Sequence, residues 1–296
     1  MKKYYSPLRY PGGKGAIASS LADIILSNNL EDGSYFEPYA GGAGAALYLL
    51  FNGFVNEIYL NDADYNIYAF WDSILNKCDA FLAKVETVDL TIDEWHKQKK
   101  IISSPSQHSK LDIGFATFFM NRCNRSGIVN NAGPIGGYSQ AGKWKIDVRF
   151  NKYNLSKRIR KISQFKNQIH MFNLDAIDFL KQQLPKGKKR EGSFIYLDPP
   201  YFVNGKKLYL AFYNDSEHKK LSDYIKRQKI VSWVMSYDNV VEIKKLYSVF
   251  NIYEFSLNYS LQEKRIDKEI LIVPDKIFLP QSIKISENNL QLSMAS

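Results

Sequence analysis

Five short apolar runs, at residues 34–39, 57–60, 169–172, 194–197 and 230–235, each stop at a turn residue or an acid. Their shortness and their Tyr, Ile, Phe and Val content suit strands buried on both faces, as a mostly parallel sheet requires. Helical patterning over 17–27 and 45–51 follows two glycine-rich turns. Strand alternating with helix specifies an open α/β sheet with helices packed on it. Two later runs, 252–257 and 268–273, have strand composition and a polar connection. They are expected to form an antiparallel hairpin that closes the sheet.

Between about 71 and 165 the strand–helix rhythm stops. A helix is expected over 113–122, and 130–152 is rich in glycine, aromatic and basic residues. The chain therefore divides into a discontinuous core (1–70 and 166–280), a mainly helical insertion (71–165) and a polar tail (281–296). With 296 residues, 45% of them hydrophobic, a large core can form. The formal net charge of +10 suits a polyanion partner better than a small metabolite. Cys78 and Cys123, far apart, build neither a disulfide framework nor a zinc site, which points to a reducing, cytoplasmic setting. The four histidines show no metal-ligand spacing, so no metal is expected. No segment approaches the ~20 apolar residues of a membrane span, and no signal peptide is legible.

The run 194–197 delivers Asp198 to its carboxyl end, where open α/β sheets place their ligands. Pro199 and Pro200 then enforce an extended turn, because a residue before proline is pushed out of the helical region. The turn offers a carboxylate, a backbone carbonyl and the ring of Tyr201 to one space. That set suits an aromatic amine such as the amino group of adenine, whose lone pair is delocalised into the ring. The Asp198 carboxylate and the Pro199 carbonyl can take both amino hydrogens, favouring a pyramidal nitrogen whose lone pair faces a methyl donor. Tyr201 can stack on the base, worth about 1–3 kcal/mol.

A second constellation joins the run 34–39, with Glu37, to the glycines Gly41 and Gly42 and then to a helix. Glycine lets the backbone approach a ligand closely. Asp62 ends the next strand about 20 residues on, where nucleoside-binding sheets accept ribose hydroxyls. A third segment, 8–14, ends in Gly-Gly-Lys but lacks the spacing and the Ser/Thr of a phosphate loop, which excludes an NTPase. Its Tyr10 and Lys14 suit instead the sulfonium and carboxylate ends of S-adenosylmethionine (AdoMet), by cation–π and ion-pair attraction.

Taken in order, these motifs resemble the Dam-like adenine-specific DNA methyltransferases over about residues 5–275. The shared features are an aromatic-x-Gly-Gly-Lys start, a Glu-Pro-aromatic glycine-rich motif, an acid after the next strand, a DNA-recognition insertion and Asp-Pro-Pro-Tyr. The resemblance implies a Rossmann-like AdoMet-dependent methyltransferase sheet. It implies that Tyr10, Lys14, Asp62 and Asp198 contact AdoMet, that Glu37, Gly41 and Gly42 shape its pocket, and that Asp175 lies near its adenine. Asp198, Pro199, Pro200 and Tyr201 become the catalytic set. Tyr39 replaces the family's usual Phe, Ala43 stands where a third glycine is common, and Ser126 replaces an Asn in the segment 120–127. That segment belongs to DNA recognition, so the target sequence does not carry over.

The insertion also has polyanion chemistry. Arg122, Arg125, Lys143, Lys145 and Arg149 interleave with Tyr138 and Trp144. Lys and Arg supply phosphate contacts, while base-edge contacts specify sequence. With Asn121, from the family-like segment, the residues Arg122, Arg125, Tyr138, Lys143, Lys145 and Arg149 form the expected DNA-binding set. A hairpin over 138–145 is expected to enter a groove. The expected function is methylation of the exocyclic amino group of an adenine flipped from double-stranded DNA, with S-adenosylhomocysteine as product. A monomer is expected, with a restriction endonuclease as a genetic rather than a physical partner. An RNA-base methyltransferase and a catalytically inactive AdoMet- and DNA-binding regulator remain the alternatives.

Overall fold

The computed structural model describes residues 5–9, 17–202, 213–256 and 268–281. Tyr10, Lys14, residue 257 and the tail from 282 onward lie outside the described residues. The strands are β1 (Ser34–Glu37), β2 (Glu57–Asn61), β3 (Ile169–Phe172), β4 (Ser193–Leu197), β5 (Ser232–Asp238), β6 (Asn251–Ser256) and β7 (Lys268–Val273). They form one seven-stranded sheet in the order β3-β2-β1-β4-β5-β7-β6. The first five are mutually parallel, and β7 runs antiparallel to both β5 and β6. The expected sheet and its closing hairpin are both present. Chain direction along the sheet reverses between β1 and β4, so a crevice opens above their carboxyl ends, where ligands bind in open α/β folds.

Alternation along the strands explains why the sheet is covered on both sides. In β4, Phe194 and Tyr196 enter one core, while Ile195 and Leu197 enter the other. In β1, Tyr35 and Phe36 divide the same way. The first core takes α1 (Ala18–Ser27) and α2 (Gly44–Phe51); the second takes α8 (Ala176–Gln183), α9 (Asp215–Lys226) and α10 (Val241–Leu246). Burying a Leu, Ile or Phe side chain fully is worth about 1.5–3 kcal/mol. A slip of one residue would exchange the two faces and lose that complementarity.

Between β2 and β3 the chain forms α3 (Tyr65–Asn76), α4 (Cys78–Thr87), α5 (Ile92–Ser103), α6 (Lys110–Cys123) and α7 (Lys152–Gln164). These helices do not stand apart from the sheet. Phe70, Phe81, Phe118 and Ile159 belong to the same core as Tyr35, Ile58 and Leu60. The expected boundary at 70/71 falls inside α3. The central helix is α6, buried from Ile113 through Cys123, as a helix enclosed by others must be. It packs closely on α3 because Gly114 has no side chain. A Cβ there would lie 2.4 Å from the Ala69 carbonyl oxygen.

The hairpin expected over 138–145 does not form; that stretch is an irregular loop. Gly136, Gly137 and Gln140 adopt left-handed backbone, which extended strands exclude. The Gln140 side chain binds the loop together, donating to the carbonyls of Ile135 and Gly137 and accepting from the Ile146 amide. Among the described residues no helix is long and apolar enough to cross a membrane, and no cluster of metal-ligating side chains gathers.

Candidate functional site

The site is a row of strand ends. Along the carboxyl edge of the sheet, β2, β1, β4 and β5 place Asp62, Glu37, Asp198 and Asp238 in that order. Neighbouring strands lie ~4.8 Å apart, so Asp62 and Asp198 stand roughly 10 Å apart across the crevice.

After β1 the chain turns through Gly41 (φ 47°) and Ala43 (φ 46°) before α2 begins. The left-handed conformation at Ala43 explains why a third glycine is the commoner residue there, since a side chain costs about 1–2 kcal/mol in that region. The turn is tied to the next strand. Ala40 N–H donates to the Asn61 carbonyl, and Gly41 N–H donates to Asp62 Oδ2 at 2.9 Å. Asp62 Oδ1 accepts from the Asp64 amide at 2.9 Å. Two backbone donors would lower the pKa of a carboxylate, but burial outweighs them, helped by the Asp64 charge, and pushes Asp62 up to about 7. A carboxylate held this way wants further hydrogen-bond donors, and the hydroxyls of a ribose supply them. The residues present therefore fit the nucleoside end of AdoMet.

Three anchors of this turn are not legible from its own sequence. Asn61, fully buried, donates to the carbonyls of Pro38 and Leu174 and accepts from the Leu174 amide. Trp71, from α3, donates its indole N–H to the Gly41 carbonyl at 2.9 Å. Tyr39 pairs its hydroxyl with that of Tyr213 at 2.9 Å, which gives the departure from Phe a physical reason. Burial and the Tyr213 neighbour hold the Tyr39 hydroxyl well above the ordinary phenol range, so it stays protonated.

The Asp198 turn is held from β5 and β7. Ser236, in the middle of β5 and fully buried, donates to Asp198 Oδ1 at 2.8 Å. Because that donation uses the serine's one proton, its 2.8 Å contact with Tyr196 is a hydrogen bond from the tyrosine. Asp238 accepts from the Phe202 amide, and Tyr201 donates its hydroxyl to Glu269 of β7. Pro199 is buried and Pro200 half-buried. Ser236 lies in β5, beside the Asp198 strand, and Glu269 in β7, one strand further out; each is a buried polar residue within a strand, and its partner is distant in sequence. Asp175 sits at the start of α8, exposed, and caps the helix by accepting from the amides of Ile177 and Asp178.

The expected DNA-binding residues separate into two groups. Arg125, Tyr138, Lys143, Lys145 and Arg149 are exposed on or beside the irregular loop. Trp144 is 60% exposed, with Lys143 over its ring. Asn121 and Arg122, by contrast, are buried. The Asn121 amide is spent on backbone: it donates to the carbonyls of Arg9 and Gly127 and accepts from the Arg9 amide, all at 2.7 Å. In this arrangement Asn121 straps the segment before Tyr10 to α6, and it cannot reach a groove without breaking three bonds.

A model of the D12 class of N6 adenine-specific DNA methyltransferases matches residues 10–261. No curated protein matches. Among solved structures, the chain is similar to a conserved hypothetical protein from Streptococcus pyogenes, with 10% identity, 83% of this chain and 88% of that one covered, and a TM-score of 0.34. It is also similar to a candidate class I S-adenosylmethionine-dependent methyltransferase from Listeria monocytogenes, with 10% identity and a TM-score of 0.37. That likeness covers 90% of this chain and 62% of the other. With the family model spanning both the glycine-rich turn and the Asp198 turn, the chain belongs to the D12 class of N6 adenine-specific DNA methyltransferases, with AdoMet as its methyl donor.

Proposed function

We propose that the chain methylates the amino group of an adenine flipped out of double-stranded DNA at a specific site. The observation that carries this reading is the Asp198 turn, fixed by Ser236, Asp238 and Glu269 beside the turn that Asp62 organises. AdoMet, when bound, supplies an electrophilic methyl group and leaves as S-adenosylhomocysteine. Asp198 and the Pro199 carbonyl accept the two amino hydrogens and aim the nitrogen lone pair at the methyl. These residues would hold the nitrogen for direct transfer of that methyl, and the amino proton hydrogen-bonded to Asp198 would pass by way of that carboxylate to solvent. Tyr201, anchored through its hydroxyl, offers its ring to the base. Catalysis rests on positioning and on preorganised acceptors. Asp62, Glu37, Gly41 and Gly42 hold the cofactor with Tyr10 and Lys14, and Asp175 stands near its adenine. A duplex hides the adenine amino group, so the nucleotide must leave the stack. The region 71–165 serves recognition, with Arg125, Tyr138, Lys143, Lys145 and Arg149 facing the DNA.

The test incubates purified protein with labelled AdoMet and unmethylated duplex DNA, single-stranded DNA or RNA, followed by nucleoside mass spectrometry. N6-methyladenine from the duplex, absent with Asp198→Ala, supports the reading. Methyl found only in RNA, or nowhere despite AdoMet binding, overturns it. With 2-aminopurine at the mapped target, a rise in fluorescence on binding reports flipping, and an unchanged signal contradicts it.

A further inference from the structure

We propose that Arg9, Arg122, Arg149 and Arg158 form one anion site that takes a phosphate of the DNA backbone. This deepens the function proposed above and rests on it. Arg9, Arg122 and Arg158 come from separate segments that meet at the end of α6, and Arg149, from the loop before α7, is near enough for its charge to act on Arg9 and Arg122. Arg9 donates to the carbonyl oxygens of Arg122 and Asn124, at 3.4 and 3.1 Å. Arg158, on α7, donates to the carbonyl of Ser6 at 3.1 Å, in the same strap. Arg122 is 8% exposed, and its Nε has no hydrogen-bond partner.

No carboxylate forms a salt bridge with any of the four among the described residues. Asp147 is close enough to act on the Cys123 thiol but does not pair with them. Buried charge is normally paired. Here burial, and then Arg158, Arg9 and Arg149, depress the Arg122 guanidinium to about 9, the mark of cations crowded together without a counter-ion. The carbonyls that hold Arg9 and Arg158 fix their positions without cancelling their charge. Arg158 also lines an open groove of about 1020 Å³ with Lys152, Lys157 and Lys161 and with Glu86, which pairs with Arg160, so an anion on a long polymer can reach Arg158 from solvent. A phosphodiester matches it, since guanidinium groups bind phosphate oxygens through paired N–H donors.

The site has an unusual signature: removing one charge should weaken DNA binding without weakening the fold. Arg149→Gln and Arg158→Gln avoid the buried Arg122. Affinity for an unmethylated duplex is measured from 50 to 200 mM salt, and melting temperature is measured without DNA. Each variant should show a slope of log K against log salt shallower by about 0.9, which is about 3.5-fold less affinity lost across that range. Melting temperature should stay equal to wild type or rise in at least one variant, because like-charge repulsion is relieved. Unchanged slopes overturn the proposal, as does a lower melting temperature in both variants, which would make the arginines structural. If the wild-type chain neither binds nor methylates the duplex, the function proposed above fails instead.

Discussion

Ser236→Ala isolates how Asp198, the proposed catalytic carboxylate, is aimed. The change removes a buried hydroxyl that donates to Asp198 Oδ1 and accepts from Tyr196. A hydrogen bond to a charged group contributes about 1.5–3 kcal/mol. At 1.36 kcal/mol per factor of ten, full loss of that orientation in the transition state lowers kcat about ten- to 150-fold. Asp198 keeps other partners, so the lower end is expected. AdoMet affinity, which the proposal assigns to Asp62 on the far side of β1, should change much less. Tyr196→Phe removes the bond behind Ser236 and keeps the ring, and should cost about two- to tenfold. Single-turnover methylation of duplex DNA measures each, and their combination decides the mechanism. In a relay the double variant is no slower than Ser236→Ala alone; independent effects would multiply. Multiplied losses, or a Ser236→Ala rate within about twofold of wild type, would refute the relay.

Asp62 provides a pH signature. With its carboxyl at about 7 in the free protein and ribose hydroxyls favouring the ionised form, AdoMet binding should tighten about tenfold between pH 6 and pH 8, as calorimetry would show, and Asp62→Asn should flatten the profile. A wild-type profile that is flat or reversed would contradict the assignment. The sign for folding is opposite: the native value lies above the ordinary 3.8, so this group's contribution to stability is complete below about 4 and is lost as pH rises through about 7. Gly114→Ala should destabilise the fold, because overpacking against the Ala69 carbonyl costs about 1–3 kcal/mol while helix propensity returns at most about 1. A denaturant midpoint equal to wild type would mean that α3 and α6 separate freely.

The strands were legible where burial on both faces left an unbroken apolar run. β3 falls at the residues expected, and β4 differs only by Ser193. β5 was harder, because its last residues, Ser236 to Asp238, read as a polar end. They remain strand because they pair with β7, Tyr237 opposite Ile270. Local periodicity carries no information about a partner 33 residues further on. The same limit governs the site. Asp198, Asp62 and the glycines announce themselves by local chemistry, whereas Ser236, Trp71 and Tyr213 matter only through contacts distant in sequence. Asn121 shows the converse: its motif context reads as a DNA contact, while in the fold its buried amide bonds the chain's own backbone, a use that only its partners Arg9 and Gly127 reveal.

Those long-range contacts bear on how recognition and chemistry are joined. A recognition region hinged to a catalytic core would have its own hydrophobic centre and few bonds to the cofactor turn. Here α3, α4, α6 and α7 share a core with β1 and β2. The Trp71 indole holds the Gly41 carbonyl, while the Gly41 amide holds Asp62. Asn121 holds Arg9 by both its amide and its carbonyl, immediately before the segment that carries Tyr10 and Lys14. A displacement of α3 or α6 would therefore reach the cofactor turn through one or two hydrogen bonds, without a domain rotation. Close-packed interiors transmit such shifts rather than absorb them. On the proposed assignments, with DNA at the arginines at the end of α6 and cofactor at Gly41 and Asp62, the two should then bind with mutual dependence. That dependence should weaken in Trp71→Phe, which keeps an aromatic ring in the core, though a smaller one, and deletes the bond to Gly41.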